Sequence, residues 1–157
     1  NENISVQTLL KIKSTKKDEI FNEVKLELRI LNGKISFDKS VFINNNIGLM
    51  EISNSDLFLD NDKLFLSSNL SIDIKDIDKL YSFLNTSKNS RKNIRNIKLN
   101  IIYDFLSNQI ELNNIKINDN DVSSQFNNIA EGFIDINSNN LTKSRKLLNE
   151  LINLYAG

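Results

Sequence analysis

Three short acidic runs are the first places in this sequence where chemistry could sit: Asp60-Asn61-Asp62, Asp73 with Asp76 and Asp78, and Asp119-Asn120-Asp121. Alternating Asp and Asn oxygens are what a calcium ion takes as ligands. None of the three carries the glycine and distal glutamate of a calcium loop. The same residues suit turns and helix caps, because short Asp and Asn side chains hydrogen-bond nearby amides, and no metal site is assigned to them. A cationic group follows: Lys88, Arg91, Lys92, Arg95 and Lys98 crowd one connection. It reads either as a patch for anionic lipid head groups or an acidic partner, or as a solvated loop in a lysine-rich chain. Asp104 and Glu111 fall on the wet face of a hairpin, and no motif positions them as an acid–base pair.

The missing residue types narrow the chemistry further. The chain has no His, Cys, Pro or Trp. That excludes ordinary zinc, haem and iron–sulfur sites, a thiol nucleophile and a Ser–His–Asp triad. With neither a glycine-rich phosphate loop nor a nucleophile elbow, the expectation is a non-enzymatic protein without a cofactor. Lys and Arg together number 20 and so do Asp and Glu, which leaves a formal net charge of zero. A global field for nucleic acid is therefore absent. Abundant Asn, Ile and Lys fit the codons of an AT-rich genome. No run reaches the roughly 18–20 apolar residues of a membrane span. The chain begins at Asn1 without a Met, so it reads as a piece of something longer, with any membrane anchor outside it.

The elements that would position these residues are mostly strands. Residues 4–12 place Ile4, Val6, Leu10 and Ile12 on one face. Residues 23–39 predict a hairpin closed by Asn32-Gly33, two residues that accept the positive φ of a type I′ turn. Two-residue closure pairs Ile30 with Ile35, Leu28 with Phe37 and Val24 with Val41. A short strand, an Asn-rich connection and a further strand cover 41–52. A second hairpin, 56–74, closes at Asn61-Asp62 and pairs Leu59 with Leu64, Leu57 with Leu66 and Phe58 with Phe65. The period then lengthens: Ile77, Leu80, Tyr81 and Leu84 share a helical stripe in 76–86, with Asp76 as N-cap and Asp78 in the first turn. Residues 97–117 predict a hairpin turning at Ser107-Asn108, with Phe105 opposite Ile110 and Tyr103 opposite Leu112. One extra residue at Asn113–Asn114 then sets Ile101 against Ile115 and Leu99 against Ile117, which predicts a β-bulge and a bent strand. Helices are expected over 122–133 and 141–155.

These pieces imply one domain of class α+β: a curved, mostly antiparallel β-meander sheet with one apolar face, one inserted helix and two C-terminal helices. The apolar face is expected to carry Leu28, Ile30, Ile35, Phe37, Leu64, Leu66, Leu70 and Ile72, and, from the last hairpin, Leu99, Ile101, Tyr103, Phe105, Ile110, Leu112, Ile115 and Ile117. Alternation alone does not say whether that face is a covered core or a groove open to acyl chains.

The ordered segments "LRILNGKISFDKSVFINNNIGLMEISNSDLFLDNDKLFL", "KDIDKLYSFLNT", "NIKLNIIYDFLSNQIELNNIKIN" and "NNLTKSRKLLNELINLYAG" resemble the C-terminal region of AsmA-like proteins over roughly residues 20–157. That resemblance implies a β-rich periplasmic domain of an envelope protein. The full-length protein would be held in the inner membrane by a segment outside this chain and would serve outer-membrane biogenesis, with phospholipid or envelope proteins as partners and no catalytic residues. The alternative is an interaction or capping module with no ligand of its own.

Overall fold

The computed structural model of the protein describes residues 5–14, 20–122, 124, 146, 149–150, 152–153 and 155. Nine strands among them form one antiparallel sheet: β1 (Ser5–Lys13), β2 (Glu23–Leu31), β3 (Lys34–Ser36), β4 (Val41–Asn44), β5 (Gly48–Asp60), β6 (Lys63–Ile74), β7 (Asn96–Asp104), β8 (Gln109–Ile117) and β9 (Asn120–Asp121). The order across the sheet follows the chain, except that β3 and β4 share the place between β2 and β5. Helix α1 (Ile77–Leu84) is inserted between β6 and β7. The meander and its inserted helix match the sequence expectation. The helix expected over 122–133 lies, past Val122 and the helical Ser124, outside the described residues, as does much of the one expected over 141–155.

Turn chemistry sets the register. Asn32 and Gly33 both take positive φ, and Ile30 meets Ile35. Asn61 and Asp62 do the same at the next hairpin, with Leu59 opposite Leu64, Leu57 opposite Leu66 and Phe58 stacked on Phe65 at 5.6 Å. Asn118 and Asp119 close β8 onto β9 in the same way. Two of the acidic runs are therefore turns, since paired left-handed residues suit Asn and Asp. In the third, Asp76 caps α1 by accepting from Lys79 N at 3.1 Å, and Asn85 ends the helix in the left-handed conformation.

Two expected pairings are corrected. Val24 faces Phe42, and Val41 faces Lys25. The chain leaves the ladder after Ser36 and rejoins it at Val41, and this break takes up one residue more than a regular strand. Phe37 accordingly lies outside β3, not opposite Leu28. In the last hairpin the turn holds four residues, Phe105–Asn108, not two. Asp104 Oδ1 accepts from Leu106 N at 2.8 Å and Ser107 N at 3.2 Å, and Tyr103 donates its hydroxyl to Asn108 Oδ1 at 2.9 Å. This side-chain-capped loop displaces the two-residue turn. Tyr103 then faces Ile110 and Ile97 faces Ile117, each slipped by two from the expected register, while Ile101 faces Leu112, three residues from the expected Ile115. Phe105 sits in the turn and is 45% exposed. A slip of two keeps every remaining side chain on its face. An extra residue is present as expected, but one position beyond Asn113–Asn114: Leu99 stands opposite Asn114–Ile115, and Asn114 has φ 51°.

A second bulge lies in β5, where Ser53 pairs with Asn69 but Asp56 pairs with Ser67, and Asn54 has φ 48°. It stands beside the Phe37–Ser40 break, and both are sewn together by serines. Ser40 Oγ accepts from Glu27 N at 3.0 Å, Ser55 Oγ accepts from Phe37 N at 2.6 Å, and Asp38 Oδ1 accepts from Ser55 N at 2.6 Å. Each bond satisfies an amide that the broken ladder leaves over. Ser68 in β6 faces the β5 bulge, and Ser40, Ser55 and Ser68 are all buried. Ser40 stands opposite Ile52, the β5 bulge at Asn54–Ser55 stands opposite Ser68, and Ser68 pairs with Ile101, two residues along β7 from Leu99, where the β8 bulge stands. Together these form a crease across the sheet, because each bulge bends its own strand.

Candidate functional site: an apolar cavity on one side of the crease

Register places the even-numbered residues of β1, β2 and β6 on one face, together with Ile97, Leu99, Ile101 and Tyr103 of β7 and Ile110, Leu112, Ile115 and Ile117 of β8. This face is apolar from one edge of the sheet to the other. Its cover is not uniform. On one side of the crease α1 lies over it. Tyr81 and Leu84 of the helix pack with Ile94, Ile115, Ile117, Val122 and Ile152 into the buried core, and Ile74, Ile97, Leu99 and Leu112 pack against them. Val122 donates its N–H to Ile115 O at 2.9 Å and so extends the β8–β9 ladder by one residue.

Between α1 and the sheet lies a cavity of about 270 Å³. Its floor is Leu70, Ile72, Leu99, Leu112, Ile115 and Ile117, six of the sixteen residues expected on the apolar face; its roof is Leu80, Phe83, Leu84 and Ile152. Ile20, Phe21, Ile47 and Met50 line its side. The other ten expected residues do not border it. Leu28, Ile30, Ile35, Leu64, Leu66, Ile101, Tyr103 and Ile110 are half-buried across the crease or along it, Phe37 is at the break, and Phe105 is in the exposed turn.

Polar groups at the cavity are already used. Asn44 donates to Ile20 O at 2.7 Å and accepts from Asn46 N and Ile47 N at 3.0 Å. Gly48 lets β5 approach β6 so closely that a Cβ there would lie 2.0 Å from Asp73 O. No buried side-chain donor or acceptor is left unpaired along the wall; the two unpaired among the described residues, Ser68 Oγ and Asn96 Oδ1, lie elsewhere. A space lined mainly by hydrocarbon, with Asn44 and Asp73 as its polar residues, can hold a hydrocarbon chain. No group of three or more metal-binding side chains occurs among the described residues.

The cationic connection packs along α1. Tyr81, buried at the centre of the helix, accepts from Lys92 N at 2.7 Å and donates to Lys92 O. Burial pushes the Tyr81 phenol above its usual 10.0, against the downward pull of Lys92 and Arg91. The Arg91 guanidinium lies 5.5 Å from the centre of the Tyr81 ring and reaches Thr86 O at 3.2 Å. Lys98 pairs with Asp119 at 2.7 Å, which raises the lysine and lowers the carboxyl from their ordinary values. Two of the five cations are thus engaged within the chain, while Lys88, Lys92 and Arg95 are exposed. Asp104 and Glu111 lie on the outer face, the first capping its turn and the second accepting from Asn113 at 2.8 Å.

The cavity was only half legible in the sequence. Its floor follows from alternation, but Ile20, Phe21 and Ile47 come from connections, and Gly48 carries no pattern. The β5 bulge did have a signal: Ile52 and Leu57 share a face at an odd spacing, the same parity slip that exposes the bulge at Asn114. No helix among the described residues is long and apolar enough to cross a membrane. Compared with known protein families, with curated proteins and with solved structures, the chain matches none.

Proposed function

We propose that this is a non-enzymatic, lipid-handling domain of an AsmA-like envelope protein, acting in the periplasm as part of a longer membrane-anchored chain. The observation that carries the lipid reading is the mainly apolar cavity of about 270 Å³, floored by the same stripe that runs on across the crease. Its volume sits at the lower limit of small-molecule pockets, about 300 Å³. It suits a stretch of one acyl chain better than a whole phospholipid. The half-buried stripe across the crease offers the remaining chain a path, and Lys88, Lys92 and Arg95 offer cations to an anionic head group.

The test is mass spectrometry of lipid carried through purification, together with uptake of a fluorescent acyl probe by the purified protein. Phospholipid should co-purify, and Leu99→Phe, which narrows the cavity floor, should weaken probe uptake several-fold while the protein stays folded. No co-purifying lipid and no saturable uptake would sink the reading. The interaction-module reading is favoured by a different observation, the outer edge of β1, which pairs with no other strand among the described residues. That edge has its own consequence.

A further inference from the structure

The two edges of the sheet are unlike. The β8 edge is bent by the bulge at Asn114 and closed at its end by β9. Strand β1 has no bulge, no proline and no positive φ over its nine residues, and among the described residues it pairs only with β2. Every residue in it is exposed, including Val6 at 41%, Leu9 at 54%, Leu10 at 50% and Ile12 at 50%. A long, regular apolar edge of this kind is a template for another strand.

The phase of the ladder shows which groups are on offer. Ser14 N donates to Asn22 O at 2.8 Å, continuing the β1–β2 register, so the even-numbered residues of β1 bond to β2. The odd-numbered residues, Ser5, Gln7, Leu9, Lys11 and Lys13, turn their N–H and C=O groups outward. An antiparallel partner that matches outward groups with outward groups, and the apolar face with the apolar face, fits this edge.

We propose that a second copy of this chain supplies that strand, pairing β1 with β1 about a two-fold axis at Leu9. In that register all nine residues are paired. Leu9 meets Leu9, Gln7 meets Lys11, Ser5 meets Lys13, Val6 meets Ile12 and Thr8 meets Leu10. No lysine faces a lysine. The two Lys11 residues stand four residues apart along the strands, about 13 Å, beyond the screening length of about 8 Å in physiological salt. A shift to an axis at Lys11 would put like charges face to face and shorten the overlap. An axis normal to the sheet also brings both apolar faces to the same side, so the two copies form one continuous sheet. The inference stands apart from the lipid reading, which needs only the cavity.

The chain has no cysteine, which makes the register directly testable. Directly opposed strand residues bring their Cα atoms to about 5.5 Å, within disulfide range. Leu9→Cys should cross-link to its own copy under mild oxidation at least ten-fold faster than Ser5→Cys, whose twin lies about 27 Å away along the strands. Light scattering should show the unmodified protein as a dimer at high micromolar concentration. Leu9→Pro should be monomeric yet folded, because the N–H it removes points away from β2. Probe uptake by the Leu9→Pro monomer separates this test from that of the lipid reading. A wild-type chain still monomeric at millimolar concentration overturns the proposal, as does Leu9→Cys cross-linking no faster than Ser5→Cys. Capture of an acidic strand peptide by a monomeric chain would assign the edge to another partner and also overturn it.

Discussion

The crease divides one apolar stripe into two regions: both hold half-buried residues, Leu70, Ile72, Leu99 and Leu112 among them on the α1 side, but the fully buried members lie on the α1 side. On the α1 side, Ile115 and Ile117 of β8 are 4% and 2% exposed. Across the crease, on the same face and with the same alternation, Leu64, Leu66 and Tyr103 are only half-buried, and Leu59 is 72% exposed. A period of two therefore specifies a face and says nothing about its cover. Cover comes from where the chain changes period. Helix α1 leaves from the end of β6 and returns to the start of β7, so it can lie only over that end of the sheet. If the stripe were a single uniform core, equal substitutions on its two sides would cost alike. They should not.

Glycines give the largest contrast. Gly48 is on the covered side, with φ 154° and no room for a methyl group against Asp73 O. Gly48→Ala combines backbone strain with a clash against rigid backbone, and should cost about 4 kcal/mol. Gly33 is on the uncovered side, with φ 78° and nothing within 4 Å of where a methyl group would stand. Gly33→Ala should cost about 1 kcal/mol, the left-handed penalty alone. Urea unfolding of the two variants reads the difference directly, and equal midpoints would mean that the close approach of β5 to β6 is absent.

Leucines give the next. Leu84, on the buried side of α1, is 2% exposed and borders the cavity. Leu84→Ala should destabilise by about 3 kcal/mol, since core truncation loses both transfer energy and packing. Leu66→Ala, half-buried across the crease, should cost about 1 kcal/mol. A cost at Leu66 equal to that at Leu84 would show that the stripe beyond the crease is covered as tightly as the cavity end.

Sequence reading reached the faces, the strands and both inverse turns because each rests on local chemistry: alternation, Asn-Gly or Asn-Asp at a turn, Asp76 before a helical stripe. It failed where a side chain took over a main-chain role. Asp104 captures two amides and lengthens its turn, which moves the register by two. Ser40 and Ser55 satisfy amides that a continuous ladder would have used, so the β3–β4 break is stable, yet a serine in a strand carries no signal of that job. The cavity was hidden for a related reason. Its floor is periodic, but its side wall is made by connections, whose positions depend on tertiary closure and not on any repeat.

The smallest expected effect separates the covered interior from the surface by pH. The Tyr81 phenol, buried in the core, keeps its proton above the ordinary 10.0. Above that pH the unfolded chain has released the proton and the native state has not, so the native state binds more protons and stability falls as pH rises. Below it the contribution is fully present. Lys98, held by Asp119, is raised above 10.5 and acts in the same direction over the neighbouring range. The two differ in location: the ion pair is exposed on both sides and is screened by salt, whereas the phenol is enclosed by α1, Arg91 and Lys92. Alkaline unfolding followed in low and high salt should therefore show a slope with two parts. Asp119→Asn should remove the salt-sensitive part. Tyr81→Phe should remove the salt-insensitive part and, by breaking the bonds to Lys92, lower stability at neutral pH by about 1 kcal/mol. An alkaline slope unchanged in Tyr81→Phe would mean that the phenol reaches water, and that the covered side of the crease is no drier than the other.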